Sequence, residues 1–126
     1  MSRYLISLIV LLACTHFTAQ QQSINTVFSS EEMLKEAKSG HFQWVFPTQT
    51  TQEEITNLAK YYTTSFTYTF NSDSKIVDVY PVVDSEDTRR VMLRFLGANQ
   101  IKEIKVGEVS YELYVFYEKF MKYEAE

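Results

Sequence analysis

Cysteine is nearly missing from this chain of 126 residues: Cys14 is the only one. Histidine occurs twice, at His16 and His41, tryptophan once, at Trp44, and proline twice, at Pro47 and Pro81. A lone cysteine excludes a disulfide framework and a paired thiolate metal site. One histidine in the body of the chain leaves no ligand set for catalytic zinc. Scarce glycine and proline argue against a loop-rich or low-complexity protein. Basic residues are also outnumbered: Lys and Arg total 12 against 16 Asp and Glu, for a net charge of −4. A mildly acidic domain is a poor match to nucleic acid or to anionic lipid headgroups. What the chain does have is aromatic side chains, with nine Tyr and nine Phe.

Residues 1–20 are expected to be a secretory signal peptide rather than part of the fold. Arg3 supplies a short positive end. Leu5 to Ala13 is an apolar run too short to span a bilayer, and Thr18-Ala19-Gln20 places small residues where a signal peptidase cuts. A second reading competes, because Leu11-Leu12-Ala13-Cys14 resembles a bacterial lipobox and would put a lipid anchor on Cys14. On either reading the protein leaves the cytoplasm, and no later stretch is apolar enough to hold it in a membrane. Cleavage at Gln20 removes Arg3 alone among the charged residues. About 106 residues remain, which suits one domain with a modest core. The division expected is therefore a signal peptide at 1–20, an extended lead-in at 21–28 and a single α+β domain at 29–126.

The densest aromatic stretch is His41-Phe42-Gln43-Trp44-Val45-Phe46-Pro47. Large aromatics alternate with smaller or polar residues, the period-2 pattern of a strand with one apolar face. Phe42, Trp44 and Phe46 point one way and His41, Gln43 and Val45 the other. Ahead of it, Ser29 with Glu32 forms a capping box that opens a helix, with Met33, Leu34 and Ala37 as its apolar side and Gly40 as its stop. After it, Thr51 with Glu54 caps a helix whose stripe is Ile55, Leu58, Ala59 and Tyr62. Phe66 to Phe70 alternates aromatic and β-branched residues as a strand does. Asn71 to Ser74 is a turn, and Lys75 to Val82 is the returning strand, with Pro81 at its end. Asp84 to Asp87 starts a third helix with Val91, Met92, Phe95 and Leu96 inward, ending near Gly97 and Asn99. Ile101 to Val106 is a strand and Gly107-Glu108 a turn. Residues 109–117 fit both periods: Val109, Tyr111, Leu113 and Val115 alternate, while Leu113, Phe116, Tyr117 and Phe120 have helical spacing. Helix from about Tyr111 is the expectation. Trp44, Leu58, Phe66, Tyr68, Val79 and Phe95 are expected to share one core.

This order is helix, β-α-β-β-α-β, helix. It predicts a ferredoxin-like antiparallel sheet with an extra helix at each end, both middle helices on one face, and the first and third of these strands central. Over Phe42 to Val106 the plan resembles the heavy-metal-associated domains. That resemblance implies a soft-metal site in the loop between the first strand and the next helix. Here that loop is Pro47-Thr48-Gln49-Thr50-Thr51, without the family's Cys-x-x-Cys, so its metal ligands carry over to no residue.

Candidate chemistry is sparse. His41 lacks a nameable nucleophile and orienting partner. The pairs Glu31/Glu32 and Glu53/Glu54 sit in first helical turns, where the helix dipole accounts for them. No acidic run has calcium-loop spacing. Arg89, Arg90 and Arg94 form the one basic cluster, read either as a solvated face tied by a Glu86–Arg90 ion pair or as an anchor for an acidic partner surface. Tyr111, Tyr114, Tyr117 and Tyr123 make the last segment aromatic on more than one side, as either a helix held between the sheet and its neighbours or a helix with an exposed binding patch would be. The sheet face bearing Val45 and Tyr80 is less polar than a solvated antiparallel face usually is.

These signs point to a small exported module of a Gram-negative envelope, in the periplasm or at the outer membrane. It is read as non-enzymatic and without cofactor or metal, binding another envelope protein or itself. The candidate contact residues are Val45, Tyr80, Arg90, Arg94, Tyr111 and Tyr114. The competing class is a carbohydrate-binding or hydrolytic domain that uses surface tyrosines and carboxylates.

Overall fold

The alternation at Phe42–Val45 decides the architecture, because the side chains it points inward are the largest in the core. The computed structural model describes residues 22–124. The signal peptide expected at 1–20, with Cys14, lies outside the described residues. In chain order the elements are β1 (Gln22–Thr26), α1 (Ser30–Ala37), β2 (Phe42–Val45), α2 (Gln52–Ala59), β3 (Phe66–Phe70), β4 (Ile76–Pro81), α3 (Glu86–Ala98), β5 (Ile101–Val106), β6 (Val109–Glu112) and α4 (Leu113–Phe116). A wider helical turn, Tyr117–Met121, continues α4. The strands form one six-stranded sheet in the order β3-β4-β2-β1-β5-β6.

The fold is α+β as expected, but the sheet is mixed rather than antiparallel. Gln22–Thr26 lies inside the sheet, antiparallel to β2 and parallel to β5. Within the lead-in expected at 21–28, Gln22–Thr26 is thus a strand of the domain's own sheet. Its sequence hides this: only Ile24 of the five residues is buried, so β1 shows no apolar alternation. The C-terminal segment also differs from the helix expected at Tyr111. Val109–Glu112 is a hairpin strand on β5, Gly107 turns the chain at φ +61°, and helix begins only at Leu113. The segment uses both periods in turn, strand first and helix second.

Local signals set the helix ends. Ser29 and Glu32 close their capping box, with Glu32 N–H donating to Ser29 Oγ at 3.2 Å and Ser29 N–H to Glu32 Oε1 at 3.4 Å. Thr51 Oγ1 accepts from Glu54 N–H at the start of α2, and Ser85 Oγ from Thr88 N–H at the start of α3. Gly97 lies within α3 rather than ending it; Gln100 takes the left-handed turn beyond, at φ +64°. Leu34, expected on the apolar side of α1, is exposed, and Met33 and Ala37 are the residues that α1 buries.

One face of the sheet carries the core. Phe42, Trp44, Phe66, Val77, Val79 and Ile104 from the strands meet Met33, Ile55, Met92, Phe95 and Phe116 from the helices, all buried. Leu58 and Tyr68 pack at its margin. The terminal segment lies on this same side: Leu113, Phe116, Tyr117, Phe120 and Met121 are buried in the same cluster. Trp44 Nε1 finds no acceptor among the described residues, so the indole serves by volume rather than by hydrogen bonding.

Candidate functional site

Because the helices and the terminal segment gather on one side, the other side of the sheet has no cover among the described residues. Alternation assigns it His41, Gln43 and Val45 from β2 and its approach, Thr67 and Thr69 from β3, Ile76, Asp78 and Tyr80 from β4, and Lys105 from β5. None of these is buried, and Tyr80 is 45% exposed. Just past β4, Val82 and Val83 are exposed as well.

The centre of this face is a fixed cluster. The β2–β4 register sets Gln43 opposite Asp78 and Val45 opposite Ile76. His41 Nε2 lies 2.8 Å from Asp78 Oδ1, and His41 Nδ1 lies 3.0 Å from Glu36 Oε2. Gln43 Nε2 donates to the same Asp78 oxygen at 2.8 Å. The imidazole stacks on the Tyr80 ring at 4.3 Å and 2°, with the edge of Phe28 at 5.6 Å. Two carboxylates occupy both ring nitrogens. Among the described residues no hydroxyl or thiol hydrogen-bonds to His41, and its two contacts tie α1 to β4.

A shallow depression of about 400 Å³ lies on this face, lined by Gln43, Thr69, Phe70, Asn71, Ile76 and Asp78 among others. A second, of about 510 Å³, lies beside the β1–α1 turn, next to Phe28, Glu32 and Lys105. Neither has a tyrosine in its lining. Among the described residues no group of three or more His, Cys, Asp or Glu side chains could hold a metal ion.

The candidate contact residues do not form one site. Val45 and Tyr80 share the open face, about the β2–β4 pair. Arg90 and Arg94 are exposed on α3, on the helical side of the sheet, and Arg90 is tied to Glu86 at 2.7 Å. Tyr111 is half-buried on β6 against the Phe120 ring, while Tyr114 is 66% exposed at the start of α4. Tyr117, part of the same tyrosine set, is in the core.

Arg89 departs most from the sequence reading, which grouped it with exposed arginines. It is 4% exposed. Its guanidinium grips Asp84 in two places, Nε to Oδ1 at 2.8 Å and Nη2 to Oδ2 at 2.7 Å. It also donates to the Ala37 carbonyl at the end of α1 and, from Nη1, to the Met121 carbonyl at 3.2 Å. The plane sits between the Phe42 and Tyr123 rings, 5.5 Å from each centroid. Arginine suits the place because its planar fork serves several acceptors at once. This one side chain joins α1, α3, β2 and the terminal segment on the helical side of the sheet.

Comparison with known proteins adds no relative: no protein-family model, no curated protein and no solved structure matches this chain.

Proposed function

We propose that this protein is an exported, non-enzymatic binding or assembly module of a Gram-negative envelope, and that the open sheet face receives another envelope protein. The observation that carries the reading is the uncovered face itself. The aromatic terminal segment, the one element that might have covered it, is in the core on the other side. Val45, Ile76 and Tyr80 remain accessible between polar neighbours, with Val82 and Val83 alongside. Exposed apolar groups rimmed by hydrogen-bonding ones are the composition of a protein contact surface. The cluster of His41, Asp78, Gln43 and Tyr80 holds that surface in one shape, which lowers the ordering cost of binding.

The unit from β2 to β5 is read as ferredoxin-like, with β1 inserted between its first and last strands. The likeness to heavy-metal-associated domains then concerns arrangement alone, since Thr51 caps α2 and the Thr50 carbonyl accepts from Lys75 Nζ. Export rests on the expected signal peptide. A sugar-binding or hydrolytic role is less well supported: Tyr61, Tyr80 and Tyr114 are exposed on different elements, and neither depression is tyrosine-lined.

The test is the double substitution Val45→Ser with Tyr80→Ser. Partner recovery by crosslinking in the native envelope should fall sharply while the protein stays folded. Full recovery with both changes in place would reject the face as the contact site.

A further inference from the structure

The open face has two halves. Over β2 and β4 it carries Val45, Ile76 and Tyr80 around Asp78. Over β1, β5 and β6 it is hydrophilic. Ile24, Ile104 and Val106 are buried on the helical side, so alternation turns Ser23, Glu103 and Lys105 outward. The β5–β6 register then sets Ser110 opposite Lys105 and Glu112 opposite Glu103.

Hydrogen bonds agree with this placement. Glu103 Oε2 accepts from Ser23 Oγ at 3.3 Å and from Ser110 Oγ at 3.2 Å, which joins three strands across the face. Glu112 Oε1 accepts from Tyr114 N–H at 3.4 Å. Neither carboxylate is in an ion pair among the described residues. Yet the two are cross-strand partners, and like charges directly opposite weaken a ladder. Asp78 adds charge of the same sign. His41 and Gln43 both contact its Oδ1, and Oδ2 has no partner among the described residues. Lys105 is exposed and pairs with none of the three.

Charge complementarity names the chemistry that such a face fits. We propose that the open face receives a basic segment of a partner protein. That segment is apolar where it crosses Val45, Ile76 and Tyr80 and carries lysine or arginine where it crosses Glu103 and Glu112. The proposal rests on the reading of this face as a contact surface and adds what kind of partner it takes. β4 and β5 are three strand spacings apart in the sheet, about 14 Å, a distance that roughly three turns of helix cover. A cation set between Glu103 and Glu112 relieves their repulsion, so the opposed pair costs the free protein a little and favours the complex. An anionic membrane surface or a nucleic acid meets the same carboxylates with the wrong sign. A second copy of this chain brings another set of unpaired carboxylates rather than the missing cations.

The probes are two short helical peptides, one of leucine and lysine, the other of leucine and glutamate, labelled for fluorescence anisotropy. The purified protein should bind the lysine peptide, more weakly as salt rises, and not the glutamate peptide. Glu103→Gln with Glu112→Gln removes both charges and keeps an acceptor oxygen for Ser23, Ser110 and Tyr114. It should weaken lysine-peptide binding several-fold while the denaturation midpoint stays level or rises, because the opposed pair is gone. Glu53→Gln with Glu54→Gln, on α2 at the far side, makes the same change in net charge and should leave binding unchanged. In the native envelope the Glu103/Glu112 variant should likewise lose crosslinked partner. Equal binding of both peptides, unchanged binding in the Glu103/Glu112 variant, an equal loss in the Glu53/Glu54 variant, or a lowered midpoint would each overturn the proposal. If Val45→Ser with Tyr80→Ser leaves crosslinking intact, the contact-surface reading itself fails. If that variant abolishes crosslinking and the Glu103/Glu112 variant does not, only the basic chemistry fails. A dimer of the purified protein that Val45→Ser with Tyr80→Ser dissociates would assign the face to a second copy and overturn the proposal.

Discussion

The two faces of this sheet come from the same strands, often from adjacent residues. In β2, Phe42 and Trp44 have no exposed surface, while Gln43 and Val45 are half-buried on the other side. In β4, Val77 and Val79 are enclosed and Tyr80 is 45% exposed. The covered face has one requirement, volume that fills the space beneath the helices, and aromatic and aliphatic side chains meet it throughout. The open face is not constrained by packing. It nonetheless holds a hydrogen-bonded, stacked cluster with apolar residues at its margins. Order on the side of the sheet away from the core is the reason to look for function there.

Substitutions on the two sides should separate by size of effect. The largest belongs to the covered face: Trp44→Ala should lower unfolding free energy by about 3–5 kcal/mol, from lost transfer energy and the cavity left behind. Trp44→Phe should cost clearly less, because the indole N–H has no acceptor to lose. Denaturant unfolding measures both, and a Trp44→Ala protein as stable as the parent would remove Trp44 from the centre of the core.

Next comes the Arg89 clamp that bonds the terminal segment on the helical side. Arg89→Leu should cost about 3 kcal/mol, since it strands Asp84 and leaves the Ala37 and Met121 carbonyls without their donor. Arg89→Lys should recover little, because a single ammonium cannot serve those acceptors together. Full stability in the lysine variant would show that charge alone, without the planar fork, holds the segment.

The smallest effect belongs to the open face. Val45→Ser with Tyr80→Ser should change stability by no more than about 1–2 kcal/mol, as expected for residues that are not fully enclosed. A loss as large as that of Trp44→Ala would mean that this face is structural too, and the contrast between the sides would collapse.

Much of the covered face was legible in the sequence. The alternation of Phe42, Trp44 and Phe46 and the capping residues Ser29 and Thr51 are local signals, and local signals survive folding. What could not be read depends on distant partners. β1 has a single buried residue and becomes a strand because β2 and β5 flank it. Arg89 looks like its neighbour Arg90, and is buried because acceptors from residues 37, 84 and 121 converge on it. The His41–Asp78 contact needed the β2–β4 register, which sequence spacing does not supply. The residues of the open face could be assigned from alternation alone, but the side taken by the last segment could not.

The most direct test of the open face is thiol labelling, because the chain has Cys14 as its only cysteine. Val45→Cys and Val79→Cys place one thiol on each face, and the unsubstituted chain corrects for label on Cys14. With a maleimide, Val79→Cys should stay unreactive until the protein is unfolded. Val45→Cys should react readily in the purified protein and be protected in the native envelope, where the partner covers it. Equal labelling of Val45→Cys in both settings would contradict the claim that this face is a contact surface.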